Sequence, residues 1–323
     1  MPFELWRQDD HGNRFLVGVF AQGLQAEKKM RNLTRVSHKQ TYWIAQSAEA
    51  QHKDFSKDSL MTKGVLIDLS GTVHLGEKEI PGAIAAVRSI RESGLPLRFV
   101  TNTSRMTRGM LQELLKRLGL AVPPEHIFTA PRALRGYLRQ NGLRPFLLVH
   151  PRLHEEFADL RQDEPNAVVI GLAEEEFHYA NLNAAFRLLR DGAPLLTMGR
   201  TRYFEGEDGL QLDAGPFVVA LEYAADTQAK VLGKPSADFF LAAVADLGCR
   251  PEEVVMIGDD AASDVDGALA AGLRAILVQT GKYRSGDEEK ITRPGGMLAR
   301  DLAEAATMIL STSREQSREG SGK

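Results

Sequence analysis

The chain has 323 residues, 43% of them hydrophobic and 26% charged, which is the balance of an ordinary soluble globular protein with room for two or three domains. Its formal net charge of -3 gives no electrostatic case for nucleic acid or an anionic membrane surface as a partner. Cys249 is the only cysteine, which excludes an intrachain disulfide and a cysteine-built metal cluster and fits a reducing, cytoplasmic setting.

The opening MPFELWRQDD has no basic stretch ahead of an apolar run and does not read as a signal peptide. No uncharged apolar run reaches the roughly 18 residues that predict a membrane span. Phe3–Arg7 and Arg14–Phe20 read as strands about an Asp10-His11-Gly12-Asn13 turn, Gln22–Leu33 as a helix and Gln40–Ile44 as a third strand. Residues 1–45 thus form a small ββαβ accessory unit, and the polar, aperiodic stretch 46–62 reads as a linker.

From Gly64 onward strands and helices alternate. Val65–Asp68 reads as a short buried strand, Pro81–Glu92 as a helix with proline at its first position, Leu95–Val100 as a strand, and Met106–Leu118 as an amphipathic helix closed by Gly119. Val254–Ile257, Ala262–Ala271 and Ala275–Val278 continue as strand, helix and strand. Such alternation predicts an α/β fold with a doubly wound parallel sheet and ligands beyond the carboxyl ends of its strands. Residues 63–128 and 230–310 form this catalytic core. Residues 129–229 read as an inserted α/β cap with strands at Pro145–Val149, Ala167–Ile170 and Pro194–Met198, helices at Tyr179–Leu189 and Phe217–Ala224, and a hairpin region at 199–215. The tail Ser311–Lys323, almost without apolar residues, reads as disordered.

Four segments stand at predicted strand ends: Asp68-Leu69-Ser70-Gly71-Thr72, Thr101-Asn102-Thr103, Gly233-Lys234-Pro235, and Gly258-Asp259-Asp260 followed by Asp264. Singly, each has a bland reading as a cap, a turn or a solvated surface lysine. Together they place acids, a lysine and a Thr-Asn pair at the ligand-binding end of one sheet, where a carboxylate is expensive unless a cation compensates it. That set suits phosphate chemistry. Asp68 and Asp259 can hold a hard Mg²⁺, and Asp68 can attack phosphorus. Thr101, Asn102 and loop amides near Gly71 supply neutral donors, Lys234 supplies a point charge, and Asp264 orients Lys234 or metal-bound water. His74, His150, His154 and His178 show no metal-ligand spacing and read as surface or packing residues.

These segments, in this order and with a large insertion between the second and third, resemble the four signature motifs of the haloacid dehalogenase superfamily, in its class with an α/β cap. The resemblance covers about residues 63–310. It implies a Mg²⁺-dependent phosphohydrolase acting on a small phosphorylated compound, with Asp68 as nucleophile and metal ligand. The backbone carbonyl of Ser70 and Asp259 complete the metal site, and Asp68, Leu69, Ser70, Thr101, Asn102 and Lys234 surround the phosphate. Asp260 and Asp264 stand behind them. The chain departs from the pattern at Ser70, where most phosphatases of the superfamily carry the aspartate that serves as general acid and base. A serine hydroxyl is a poor acid at neutral pH, so the alternative is a weak, phosphate-binding pseudo-phosphatase. Within the cap, Gly199-Arg200-Thr201-Arg202-Tyr203 is the candidate for substrate choice. A homo-oligomer through the cap or the N-terminal unit is left open.

Overall fold

The computed structural model describes residues 3–8, 14–20, 25, 27, 29, 30, 41–46, 62–206 and 209–319. The chain divides into two compact units, residues 1–59 and residues 60–323. In the first, β1 (Phe3–Gln8), β2 (Arg14–Phe20) and β3 (Thr41–Gln46) form an antiparallel sheet in the order β2-β1-β3, with a register shift between Leu5 and Trp6. Residues 25, 27, 29 and 30 are helical. The expected linker lies outside the described residues, except that its first residue, Gln46, belongs to β3 and its last, Thr62, to the second unit.

The second unit starts from β4 (Gly64–Asp68), every residue of which is buried. Short strands β5 (His74–Leu75) and β6 (Lys78–Glu79) follow, then α1 (Ala83–Glu92), β7 (Leu97–Thr101), α2 (Arg108–Arg117), β8 (Ile127–Thr129) and α3 (Ala130–Gln140). After these come β9 (Pro145–Leu148), β10 (Ala167–Ile170), α4 (Tyr179–Arg190), β11 (Leu195–Thr197), β12 (Tyr203–Gly206), β13 (Gly209–Leu212), α5 (Ala214–Ala225) and β14 (Lys230–Val231). The chain then returns through α6 (Ala237–Leu247), β15 (Val254–Gly258), α7 (Gly267–Ala270), β16 (Arg274–Val278), β17 (Gly296–Ala299) and α8 (Leu302–Glu319).

Six of these strands make a parallel sheet in the order β17-β16-β15-β4-β7-β8. The chain builds outward from β4 to β8, then resumes at β15 on the other side of β4, so the winding reverses at the β4/β15 boundary. Strand alternation sends Leu66 to one apolar cluster and Val65 and Ile67 to the other, so both faces are covered. α1 buries Ala83, Ile84, Ala86, Val87 and Ile90, the three- and four-residue spacing of one helix face.

The insertion carries its own parallel sheet, β14-β11-β10-β9, covered by the adjoining helices α4 and α5, and an antiparallel hairpin of β12 and β13. It is no detached lobe. One apolar cluster joins Leu66 and Val100 of the first sheet, Leu134 and Leu138 of α3, and Val169 and Leu196 of the second sheet.

Three local expectations change. Pro81 is two residues short of the first turn of α1, because Gly82 takes a left-handed φ of 81° and starts the helix at Ala83. The predicted helix Ala262–Ala271 begins as a π-helical turn over Ala261–Asp266, held by an i to i+5 bond from Val265 N–H to the Asp260 carbonyl at 3.3 Å. Helical backbone continues through 311–319, where composition predicts disorder. The segment extends a helix already anchored by Leu302, Ala305, Ala306 and Ile309.

Candidate active site

The carboxyl ends of β4, β7 and β15 converge on a cleft of about 770 Å³ lined by Asp68, Ser70, Thr101, Asn102, Lys234, Asp259 and Asp264, among others. Asp68 closes β4 and Asp259 follows β15, which places them on either side of the point where the sheet's winding reverses. Carboxylate oxygens of Asp68, Asp259 and Asp264 all lie within 4.8 Å of one another, and all three residues are buried.

Lys234 is the buried cation of this group. Its Nζ contacts Asp68 Oδ1 and lies 2.6 Å from Asp264 Oδ1. The π-helical turn explains the second contact, since it sets Asp264 back toward Asp260, whose N–H donates to Asp264 Oδ2 at 3.2 Å. Asn102 fixes the lysine backbone from β7. Its Oδ1 accepts the Lys234 N–H and its Nδ2 donates to the Lys234 carbonyl, both at 2.7 Å. The side chain expected to meet phosphate thus also holds Lys234, and its second Nδ2 hydrogen and its backbone are what Asn102 has left for a ligand. Thr101 Oγ1 accepts the Thr103 N–H at 3.2 Å, which leaves the hydroxyl proton free to donate.

Asp259 is held by a loop that the sequence reading passed over. Its Oδ2 accepts the Lys282 N–H at 2.6 Å, and Thr280 Oγ1 donates to the Gly71 carbonyl at 2.6 Å. Gly71 and Gly281 pack so tightly here that a Cβ on either would fall 2.0 or 2.1 Å from Asp259 Oδ2. Both have positive φ, 91° and 59°. Two glycines bracketing an acid are the signal in the sequence, but only the fold brings residues 71, 259 and 281 together.

The electrostatics follow from three carboxylates facing one lysine in a buried place. Burial pushes Asp68 up to about 7; Lys234 pulls it back down, while Asp264 and Asp259 push it further up. Asp259 is pushed up to about 6, again chiefly by burial, against the Lys282 N–H that favours its charged form. Burial pulls Lys234 down, but Asp264 and Asp68 outweigh it and raise the ammonium above its ordinary value. An oxygen-only donor set with surplus negative charge is what a hard divalent cation fits.

Of the other predicted residues, Asp260, Leu69 and Ser70 also line the cleft. Asp260 caps the π-helical turn, accepting the Ala262 and Ser263 N–H groups, as in its bland reading. Leu69 is buried and Ser70 is exposed at the cleft. His74, read from sequence as surface or packing, lines the cleft: its Nδ1 lies 2.8 Å from the Gly76 carbonyl and burial holds its pKa below the usual histidine range. His150 caps the short turn after β9, His178 caps the N-terminus of α4, and His154 is exposed. Arg200 and Arg202 do not line the cleft. Arg200 makes a bidentate pair with Glu222 of α5 at 2.7 and 2.8 Å, which ties it to the helix surface. Phe204, Leu172 and Asp213 are the insertion residues that reach the cleft.

With this geometry in place, the comparisons with known proteins agree. A family model for haloacid dehalogenase-like hydrolases matches residues 65–161, and a second HAD-hydrolase-like model matches residues 231–305. Mouse haloacid dehalogenase-like hydrolase domain-containing protein 2 is 49% identical over 248 residues, spanning 77% of this chain and 96% of its own. The chain belongs to the haloacid dehalogenase-like hydrolases. Xenopus laevis phospholysine phosphohistidine inorganic pyrophosphate phosphatase is 42% identical over 259 residues, covering 77% of this chain and 95% of that protein. Among solved structures, the glycerol phosphate phosphatase of Mycobacterium tuberculosis in complex with magnesium superposes with a TM-score of 0.67 at 28% identity, over 75% of this chain and 76% of that one. This member of the haloacid dehalogenase-like hydrolases is therefore an enzyme of the phosphatase type, and the described residues include no helix long and apolar enough to cross a membrane.

Proposed function

We propose that the chain is a Mg²⁺-dependent phosphohydrolase that works through an aspartyl-phosphate on Asp68. The observation that carries this reading is the cluster of Asp68, Asp259 and Asp264 around Lys234 at the sheet's reversal point. Asp68, Asp259 and the Ser70 carbonyl would hold Mg²⁺, which supplies charge neutralisation for a phosphate dianion. Every other step belongs to the chain. Asp68 attacks phosphorus, the bond to the leaving group breaks with its electron pair, and water then hydrolyses the aspartyl-phosphate to free phosphate. Lys234 and the Thr101 hydroxyl stabilise the transferring group's oxygens. Asn102 keeps Lys234 in place, and Asp264 holds its ammonium toward Asp68.

The substrate is a small phosphorylated compound. Ser70 cannot readily protonate a departing alkoxide, so substrates whose leaving group needs no such help suffer least. Pyrophosphate leaves as phosphate, a phosphoramidate nitrogen is protonated before it departs, and an aryl oxide is a good leaving group. The name of the Xenopus relative, which includes pyrophosphate, phospholysine and phosphohistidine, supports this choice.

Ser70 also favours a second reading, a phosphate-binding protein with little turnover. One screen separates the two. Wild type and Asp68→Asn are compared with Mg²⁺ on alkyl and aryl esters, pyrophosphate and phosphoramidates. Turnover lost in the variant supports the enzyme; phosphate binding without turnover in the wild type supports the second reading.

A further inference from the structure

Arg105 follows the Thr101–Ser104 loop directly, yet its guanidinium reaches across to the insertion. Its Nη2 lies 3.1 Å from Glu174 Oε1, and its Cζ lies 5.1 Å from the centroid of the Phe204 ring. Glu174 opens a short turn after β10, and Phe204 belongs to β12 of the hairpin. Arg105, Leu172 and Phe204 line the same cleft as Asp68 and Lys234. Glu174 is itself held from the far side, with its Oε2 3.5 Å from His150 Nε2, and it has a left-handed φ of 49°. A non-glycine residue keeps such a conformation only where its surroundings fix it. One core side chain therefore ties two elements of the insertion to the loop that carries Thr101 and Asn102.

We propose that Arg105 is a positioning residue that latches the insertion's wall over the phosphate pocket, so that occupancy of the Thr101–Ser104 loop and the position of the hairpin are coupled. A guanidinium suits this task because a planar fork pairs with a carboxylate at one edge while its face stacks on an aromatic ring. The ion pair is half exposed, so it contributes little alone. Ion pair and ring contact together close the wall without locking it, which a site that must admit substrate and release product requires.

Hydrogen exchange on the full chain tests the latch without any ligand. In Arg105→Ala and Glu174→Gln, amides of Tyr203–Gly206 and Gly209–Leu212 should exchange roughly three- to tenfold faster, while β4 and β15 stay unchanged. Arg105→Lys, which keeps the charge and loses the flat stack, should fall between. With Mg²⁺ and inorganic phosphate, wild type should gain protection in the hairpin and Arg105→Ala should not. Unchanged hairpin exchange in Arg105→Ala, or a change spread equally over β4 and β15, overturns the proposal. The coupling rests on the phosphatase reading: failure of wild type to bind phosphate with Mg²⁺ would count against that reading, and the ligand-free comparison would still decide the latch.

Discussion

Asn102 and Lys234 clasp each other across the sheet, the Asn102 side chain accepting the Lys234 N–H and donating to the Lys234 carbonyl, each at 2.7 Å. The lysine's position is thus set by a residue 132 places earlier in the chain. Asn102→Ala removes both bonds and leaves a half-buried backbone N–H and carbonyl without partners. The expected loss is about 1–3 kcal/mol of stability, with kcat/KM falling more steeply than stability because Lys234 loses its register. Urea denaturation beside steady-state kinetics checks it; normal kinetics in a destabilised protein would show that Lys234 needs no such support.

Lys234→Met leaves Asp68, Asp259 and Asp264 facing one another with no buried counter-charge. Metal-free protein should lose about 3–5 kcal/mol of stability at pH 8, the cost of breaking a buried pair, and Mg²⁺ should restore part of it. Chemical denaturation of both proteins with and without Mg²⁺ measures this. Equal stabilisation by Mg²⁺ in the two would mean that Lys234 and the cation do not share the same carboxylates.

The pH dependence has a definite sign. Asp68 is pushed up to about 7 and Asp259 to about 6, both above their unfolded values. These groups therefore favour the metal-free fold at low pH, and that contribution is lost as pH rises through about 6 to 7. Mg²⁺ binds the ionised forms, so its affinity should climb over the same window, with protons released on binding at pH 6 and few at pH 8. Calorimetry in two buffers of different ionisation enthalpy reads the proton count directly; no buffer dependence at pH 6 would contradict the assignment.

Gly281→Ala should displace Asp259, because its Cβ would sit 2.1 Å from Asp259 Oδ2 at a φ of 59°. Mg²⁺ affinity and turnover should fall together by about 10- to 100-fold while the far strands keep their stability. Retained Mg²⁺ affinity would show that the loop after β16 does not set the metal site.

Much of this was readable in the sequence. The strand-end acids, Thr101 and Lys234 stand out because polar residues closing apolar strands are costly, and the alternation of strands and helices places those ends together. What periodicity cannot show is how side chains pair across sequence distance. The Asn102 clasp, the Gly71 and Gly281 bracket and the turn that aims Asp264 at Lys234 exist only once β4, β7 and β15 lie side by side. The same holds for Arg200 and Arg202: the sequence offers two neighbouring cations for substrate choice, and only the fold shows that Glu222 of α5 pairs with Arg200 and that neither arginine lines the cleft.

Ser70→Asp restores the missing carboxyl at the exposed edge of the cleft. Alkyl-phosphate turnover should rise more than pyrophosphate turnover, by a differential of about 10²–10⁴-fold. The ratio of the two kcat/KM values before and after the change is the readout. An unchanged ratio in a folded, Mg²⁺-binding variant would mean that Ser70 does not limit the substrate range.

The central claim is that Asp68 carries the phosphoryl group. Acid-quenched turnover with Mg²⁺ and a hydrolysed substrate, followed by peptide mass spectrometry, tests it most directly. The account predicts a hydroxylamine-labile phosphoryl group on Asp68 in the wild type, and neither adduct nor turnover in Asp68→Asn. Turnover that survives in Asp68→Asn, or a phosphoryl group trapped on another residue, would contradict it.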